Sequence, residues 1–131
     1  MYSMKEACLK TEMTYETLKF YCNEGLVPNV KRNSQNHRVF DEHDINWIIS
    51  LNCLKRCGMS IQDMKEYLEL CLQGEGTIPE RKDILAKKRE DLENELAKVQ
   101  SSIDYIDWKQ NFYDDILSGK TKYFSNLIKA E

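Results

Sequence analysis

Proline is nearly absent from these 131 residues, with two in all, and glycine is scarce at five. A chain so poor in breakers is expected to be helical, and the breakers it has should mark boundaries. It has no long apolar run, and charged residues (Lys5, Glu6) follow closely on Met1. Both a membrane span and a secretory leader are therefore excluded as readings, and a cytoplasmic protein without a membrane partner is expected. Histidine occurs only at positions 37 and 43. No nucleophile–base constellation, phosphate-cradling glycine loop or metalloprotease motif is present, so the pattern argues against an enzyme and implies no cofactor. The five cysteines, Cys8, Cys22, Cys53, Cys57 and Cys71, are odd in number and form no CxxC. That argues against a disulfide framework. Nor is there a surplus of positive charge: the formal net charge is −3, unlike a general nucleic-acid coat.

The charge distribution says more than the sum. Between Lys19 and Arg38 stand four basic residues, Lys19, Lys31, Arg32 and Arg38, against the single acid Glu24. Residues 61–131 carry 11 basic and 15 acidic groups. A local basic patch on a mildly acidic body suits local DNA binding. Helix starts are legible from capping residues: Ser3 for a first helix ending before Thr11, Thr14 for a second, Asp41 for a third through about Arg56, and Ser60 for a fourth through about Leu72. Gly25 stops the second helix, Pro28 follows, and two short basic segments (Lys31-Arg32 and His37-Arg38-Val39-Phe40) flank a polar turn at Asn33-Ser34-Gln35-Asn36. Helix, turn, helix and basic hairpin in this order predict a winged helix-turn-helix reading the DNA major groove. Thr77-Ile78-Pro79-Glu80 has the form of a capping box opening a last, long helix that Gly119 stops. The fold class is all-α with one small β-hairpin wing. The expected divisions are a head over 1–73, a dimerisation helix over 77–118 and a short tail over 119–131.

Thr17-Leu18-Lys19-Phe20-Tyr21, Glu24-Gly25-Leu26, Pro28, Arg32 and His37-Arg38-Val39-Phe40 resemble the N-terminal signature of the MerR family of bacterial transcription regulators. Lys19, Phe20 and His37 keep the charge or ring of the usual residue, while Cys22 replaces a glutamate. On side-chain chemistry Tyr15, Glu16, Thr17 and Lys19 are expected at base edges or nearby phosphates, with Thr14 at the helix start beside them. Tyr21 is expected to offer its hydroxyl to a phosphate, Leu18 and Phe20 to be core, and Lys31, Arg32, His37 and Arg38 to grip the backbone beside the groove. The ordinary alternative for Arg38 is a surface pair with Glu24 or Asp41.

Leu85, Leu92, Val99, Ile106 and Tyr113 recur every seven residues, and Leu96 and Ile103 complete the seam, with Arg89 and Gln110 in the equivalent outer positions. At 1.5 Å per residue, residues 80–117 make a helix about 57 Å long. Its narrow apolar seam needs a partner helix, most simply that of a second copy. The alternative is a helix folded back on its own domain. The resemblance implies an antiparallel coiled coil, with two heads facing the half-sites of a palindromic operator in promoter DNA. It further implies RNA polymerase as partner at promoters whose −35 to −10 spacing is too long, and activation by distorting the DNA. Apolar residues Tyr123, Phe124, Leu127 and Ile128 suggest a short tail helix packing back on the dimer, near the other subunit's Cys53.

Cys53 and Cys57 lie four apart on one helix face, where two thiolates could share a thiophilic ion, although no further ligand lies nearby in sequence. A metal- or oxidant-responsive regulator using both is one alternative; a coiled-coil interaction module without DNA binding is another. The run from Trp47 to Ile61 is similar to a thiol-based, aldehyde- and electrophile-responsive subgroup of the same family (the AdhR/NmlR type). That similarity implies Cys53 as the sensor thiol, with Lys55 and Arg56 favouring its thiolate. Ile45, Ile49 and Cys53 also fall at i, i+4 and i+8, the spacing of a small buried hydrophobe.

Overall fold

A computed structural model describes residues 1–129. In chain order the elements are β1 (Tyr2–Ser3), α1 (Met4–Thr11), α2 (Tyr15–Asn23), β2 (Lys31–Arg32), β3 (Arg38–Phe40), α3 (Glu42–Arg56), α4 (Ile61–Leu72), a short 3₁₀ turn (Glu75–Thr77) and α5 (Ile78–Leu117). The chain divides into two compact units, Met1–Arg89 and Glu90–Glu131. The division falls inside α5, so the first turns of the long helix go with the head.

Four helix starts form where capping residues stand. Ser3 with Glu6, Asp41 with Asp44, and Ser60 with Asp63 make reciprocal capping boxes, and Thr14 accepts the Thr17 N–H. The first helix runs one residue further than expected, and Thr11 satisfies its buried hydroxyl by donating to Ala7 O at 2.7 Å. The wing is a three-stranded antiparallel sheet of order β1-β3-β2, where a two-stranded hairpin was expected. Its extra strand pairs Tyr2 with Phe40 and Ser3 with Val39. The core of the head gathers Leu18 and Tyr21 of α2, Phe40 of β3, Ile45, Ile48 and Leu51 of α3, and Met64 and Leu68 of α4. Polar ties reinforce it: Trp47 Nε1 donates to Leu26 O at 2.7 Å, and Lys65 pairs with Glu24 at 2.8 Å.

Two expectations fail beyond α4. Thr77 does not cap α5; it is buried in the 3₁₀ turn, its hydroxyl 2.5 Å from Leu70 O and 2.9 Å from Gly74 O. The hydroxyl donates to those carbonyls, and its oxygen, which a cap would offer to the first turn of α5, accepts from Arg81 Nε at 2.9 Å. Residues 120–129 form no helix, and Tyr123, Phe124, Leu127 and Ile128 are exposed. Ten residues without a packed face are too few to sustain one. Residues 130 and 131 of the expected tail lie outside the described part.

The Asp41 cap makes a pH prediction. Its carboxylate is held down from 3.8 to about 2, chiefly by the Asp44 N–H and then by Lys31 Nζ at 3.0 Å. A depressed folded pKa stabilises above the unfolded value, so this contribution is lost as pH falls from about 4 through about 2. Urea melts across that window should show a shallower acid-side loss in Asp41→Asn than in the wild type.

Candidate nucleic-acid interface

α2 sits with one face in the core and the other open. Leu18 and Tyr21, three residues apart, point inward, with Tyr21 only 2% exposed. Tyr15, Glu16, Lys19 and Phe20 point outward, with Phe20 46% exposed. The adjacent rings therefore exchange the roles expected of them: Phe20 is surface, and Tyr21 is core, its phenol pushed up by burial. Spacing contained the signal, since Phe20 is four residues from exposed Glu16 and Tyr21 three from buried Leu18. Thr14 spends its hydroxyl on the cap and donates to Thr17 Oγ1 at 2.8 Å. The Lys19 ammonium stands 6.0 Å from the centre of the Tyr15 ring, a loose cation–π contact that holds it on the open face.

The wing carries its cations beside this face. Lys31 is anchored to Asp41, and the Arg32 guanidinium donates to Asn36 O at 2.8 Å across the turn. Asn36 adopts φ 62, and Asn33 Oδ1 accepts the N–H groups of Gln35 and His37 at 3.0 Å, so side-chain amides shape the tip. Arg38 pairs with neither Glu24 nor Asp41; its guanidinium donates to Asn23 Oδ1 at 2.7 Å. A wing strand is thereby tied to the last residue of α2, fixing the basic hairpin against the reading helix.

Two clefts flank the open face. One of about 340 Å³ brings Lys5 of α1 together with Tyr15, Arg32, Asn33, His37 and Arg38. The other, of about 450 Å³, sets Glu16, Thr17 and Phe20 beside Lys55 at the end of α3 and Met59 and Ser60 of the α3–α4 turn. Lys5, Lys55 and Ser60 were not among the expected contact residues, because only tertiary packing sets them beside α2. Together these groups form a cationic, hydrogen-bonding surface with protruding rings, the character that phosphate and base-edge contacts require.

The thiols divide clearly. Cys53 is exposed, which overturns the buried-hydrophobe alternative; α3 buries Ile45 and Ile48 and turns Ile49 and Cys53 outward. Arg56 Nη2 donates to Cys53 Sγ at 3.4 Å. Cys22 is half-buried, and burial pushes its thiol up against the opposing pull of Arg38 and Arg32. Cys8 is raised by burial in the same way. Among the described residues no group of three or more His, Cys, Asp or Glu side chains is placed to hold a metal ion.

The second compact unit carries the seam. Leu85 of the head and Leu92, Leu96, Val99, Ile103, Ile106 and Tyr113 beyond it are all exposed, Leu96 at 68%. Tyr105, Trp108 and Phe112 form a second strip, the last two stacked at 5.8 Å. At 100° per residue this strip lies on the side of the helix away from the seam. No described helix is long and apolar enough to cross a membrane.

Head, wing and open α2 face together define a winged helix-turn-helix regulator that binds DNA. Residues 2–71 match the family model described as MerR HTH family regulatory protein, and residues 51–108 match the model described as MerR, DNA binding. The chain belongs to the MerR family of transcriptional regulators, whose members are not enzymes. It is 34% identical over 112 residues to an uncharacterized HTH-type transcriptional regulator of Haemophilus influenzae, covering 86% of this chain and 83% of that one. Over 80 residues it is 41% identical to the HTH-type transcriptional regulator AdhR of Bacillus subtilis, covering 61% and 57% of the two chains. Among solved structures it is similar to HiNmlR, a MerR family regulator lacking the sensor domain and bound to promoter DNA: TM-score 0.73, 32% identity, covering 89% of this chain and 93% of that one. A MerR family regulator from Listeria monocytogenes gives a TM-score of 0.79 at 32% identity, covering 92% and 91%.

Proposed function

We propose that this protein works as a homodimer, paired through antiparallel α5 helices, that places two α2 helices in successive major grooves of a palindromic promoter operator. The observation that carries this reading is the juxtaposition of the open α2 face with a wing whose Arg38 is tethered to Asn23. Tyr15, Glu16, Thr17 and Lys19 meet base edges or adjacent phosphates, with Thr14 holding the helix start. Lys31, Arg32, His37 and Arg38 take the backbone, and Lys5 and Lys55 extend the contact on either side. Tyr21 leaves the contact set because its ring is core. The seam residues Leu85, Leu92, Leu96, Val99, Ile103, Ile106 and Tyr113 bury one another across the dimer. The similarity to a regulator bound to promoter DNA supports the DNA half of the reading. At the promoter the dimer distorts the DNA between the −35 and −10 elements so that RNA polymerase can engage both.

The signal enters at Cys53. Its thiolate adds to the carbonyl carbon of an aldehyde, the carbonyl oxygen takes up a proton, and a hemithioacetal results. No electron transfer is needed. The exposed sulfur, its contact with Arg56 and the similarity to AdhR support this assignment. Favouring the activating geometry by ~1–3 kcal/mol changes the populations about 5- to 150-fold. In vitro transcription from the operator-bearing promoter, with and without methylglyoxal, should show induction in that range for the wild type and none for Cys53→Ser. Equal responses from the two proteins would remove Cys53 from the mechanism and leave the DNA-binding reading standing.

A further inference from the structure

The junction between α4 and α5 is held by more polar contacts than a passive connection needs. Gly74, at φ 92 in the region open to glycine, turns its carbonyl toward Thr77 and Arg81. That carbonyl accepts the Thr77 N–H at 3.2 Å, lies within reach of the Thr77 hydroxyl, and accepts Arg81 Nη2. Arg81 Nε donates to Thr77 Oγ1 at 2.9 Å, so one guanidinium grips both the loop carbonyl and the buried threonine. Two turns further along α5, Lys88 Nζ donates to Gly58 O at 3.3 Å and stands 3.6 Å from Asp63 Oδ2. Asp63 is the capping-box partner of Ser60, and Ser60 lines the cleft beside α2 together with Lys55. The first stretch of α5 is thus latched at both ends to the head, once at the α4 end and once at the turn flanking the DNA-reading helix.

We propose that Arg81 and Lys88 determine which operator half-site spacing the protein accepts, although neither lines the clefts beside α2. The proposal rests on the reading of a dimer that bridges two half-sites. In that dimer each head is held to the start of its own α5 by the two latches, and two identical heads so held meet DNA at one separation and one rotational phase. Half-sites offset by half a helical turn, about 5 base pairs, present their grooves on opposite sides of the duplex. A head free to swivel on α5 tolerates that offset; a latched head does not. Arg81 and Lys88 act here as positioning residues, through an angle.

The test uses the full chain and a half-site selected from a random DNA pool. Palindromic probes carry two such half-sites with the spacer varied one base pair at a time through a full helical turn of about 10.5 base pairs. Affinities are read by fluorescence anisotropy, and molar mass by light scattering. The wild type should prefer its best spacing over the half-turn offset by at least about tenfold, the order of a 1.4 kcal/mol difference. In Lys88→Gln and in Arg81→Lys, which keeps the charge but cannot span both acceptors, that ratio should fall at least threefold with the dimer intact. A residue that merely stabilises the fold would lower the melting temperature and leave the ratio unchanged. Variants that stay folded and dimeric and keep the wild-type ratio overturn the proposal. A wild type with no spacing preference at all, or a monomeric one, overturns the bridging-dimer reading instead. Should Arg81→Lys not fold, Lys88→Gln decides alone, since its contacts lie on the half-exposed surface.

Discussion

Arg38→Glu combined with Lys19→Glu is expected to lower operator affinity by at least about a hundredfold and to reduce the slope of log affinity against log salt by about two. The two cations differ in what holds them. Lys19 stands on the open α2 face near Tyr15, where its ammonium is expected to meet a guanine edge or a phosphate. Arg38 reaches from β3 to Asn23, so its loss removes a cation and also unties the wing from the reading helix. Asn23→Ala separates the two contributions: it releases the tether, keeps the charge, and should leave the salt slope unchanged while weakening binding modestly. The slope and affinity are measured together by titrating labelled operator from 50 to 300 mM salt. A double variant that binds with wild-type affinity and slope would move the interface off this face and revive the picture of a head that docks another protein.

The second large effect lies in the long helix. Leu96→Asp with Ile103→Asp should convert the dimer to a monomer and lower affinity for a two-half-site operator by about 10²–10⁴, the usual gain from joining two binding modules. Two carboxylates at the middle of an antiparallel seam would face apolar side chains and each other. The head should remain folded, because its core, from Ala7 to Leu68, is complete without either residue. Circular dichroism would report the head and light scattering the mass. The strip of Tyr105, Trp108 and Phe112 is untouched by these changes and lies on the other side of the helix. A variant that stays dimeric would therefore show pairing through that strip and not through the leucine seam.

Much of this architecture is written locally. Thr14, Asp41 and Ser60 announce their helices because a cap is a contact within four residues, and Gly25, Gly58 and Gly119 end theirs with the positive φ that glycine adopts without strain. The basic wing was legible from two short basic segments flanking a polar turn, and the α2 surface from its side-chain chemistry. What escaped was decided at a distance. β1 is two residues long, too short to show any alternation, and exists only because β3 offers a free edge. Thr77 has the sequence of a cap, but its hydroxyl turns to the carbonyls of Leu70 and Gly74 and its oxygen accepts from Arg81 Nε. Lys5 had no assigned role and Lys55 only that of a neighbour to Cys53 until the fold set them beside α2. The exposure of Cys53 could not be read from a spacing that equally suits a buried position; α3 turns its Ile45–Ile48–Leu51 face inward and leaves the thiol on the other side.

The pairing of Tyr2 with Phe40 bears on how the protein should be handled at the bench. The strand that opens the chain lies along the wing, and the Tyr2 hydroxyl is bonded to Glu42 at the start of α3. A purification tag fused ahead of Met1 would prolong this two-residue edge strand past Phe40 and load its contacts with β3 and Glu42, on which the wing is built. Affinity handles, fluorophores and surface-immobilisation chemistry belong after residue 131, beyond the exposed segment that follows Gly119. An apparent failure to bind DNA in an amino-terminally tagged preparation should first be repeated with the tag removed.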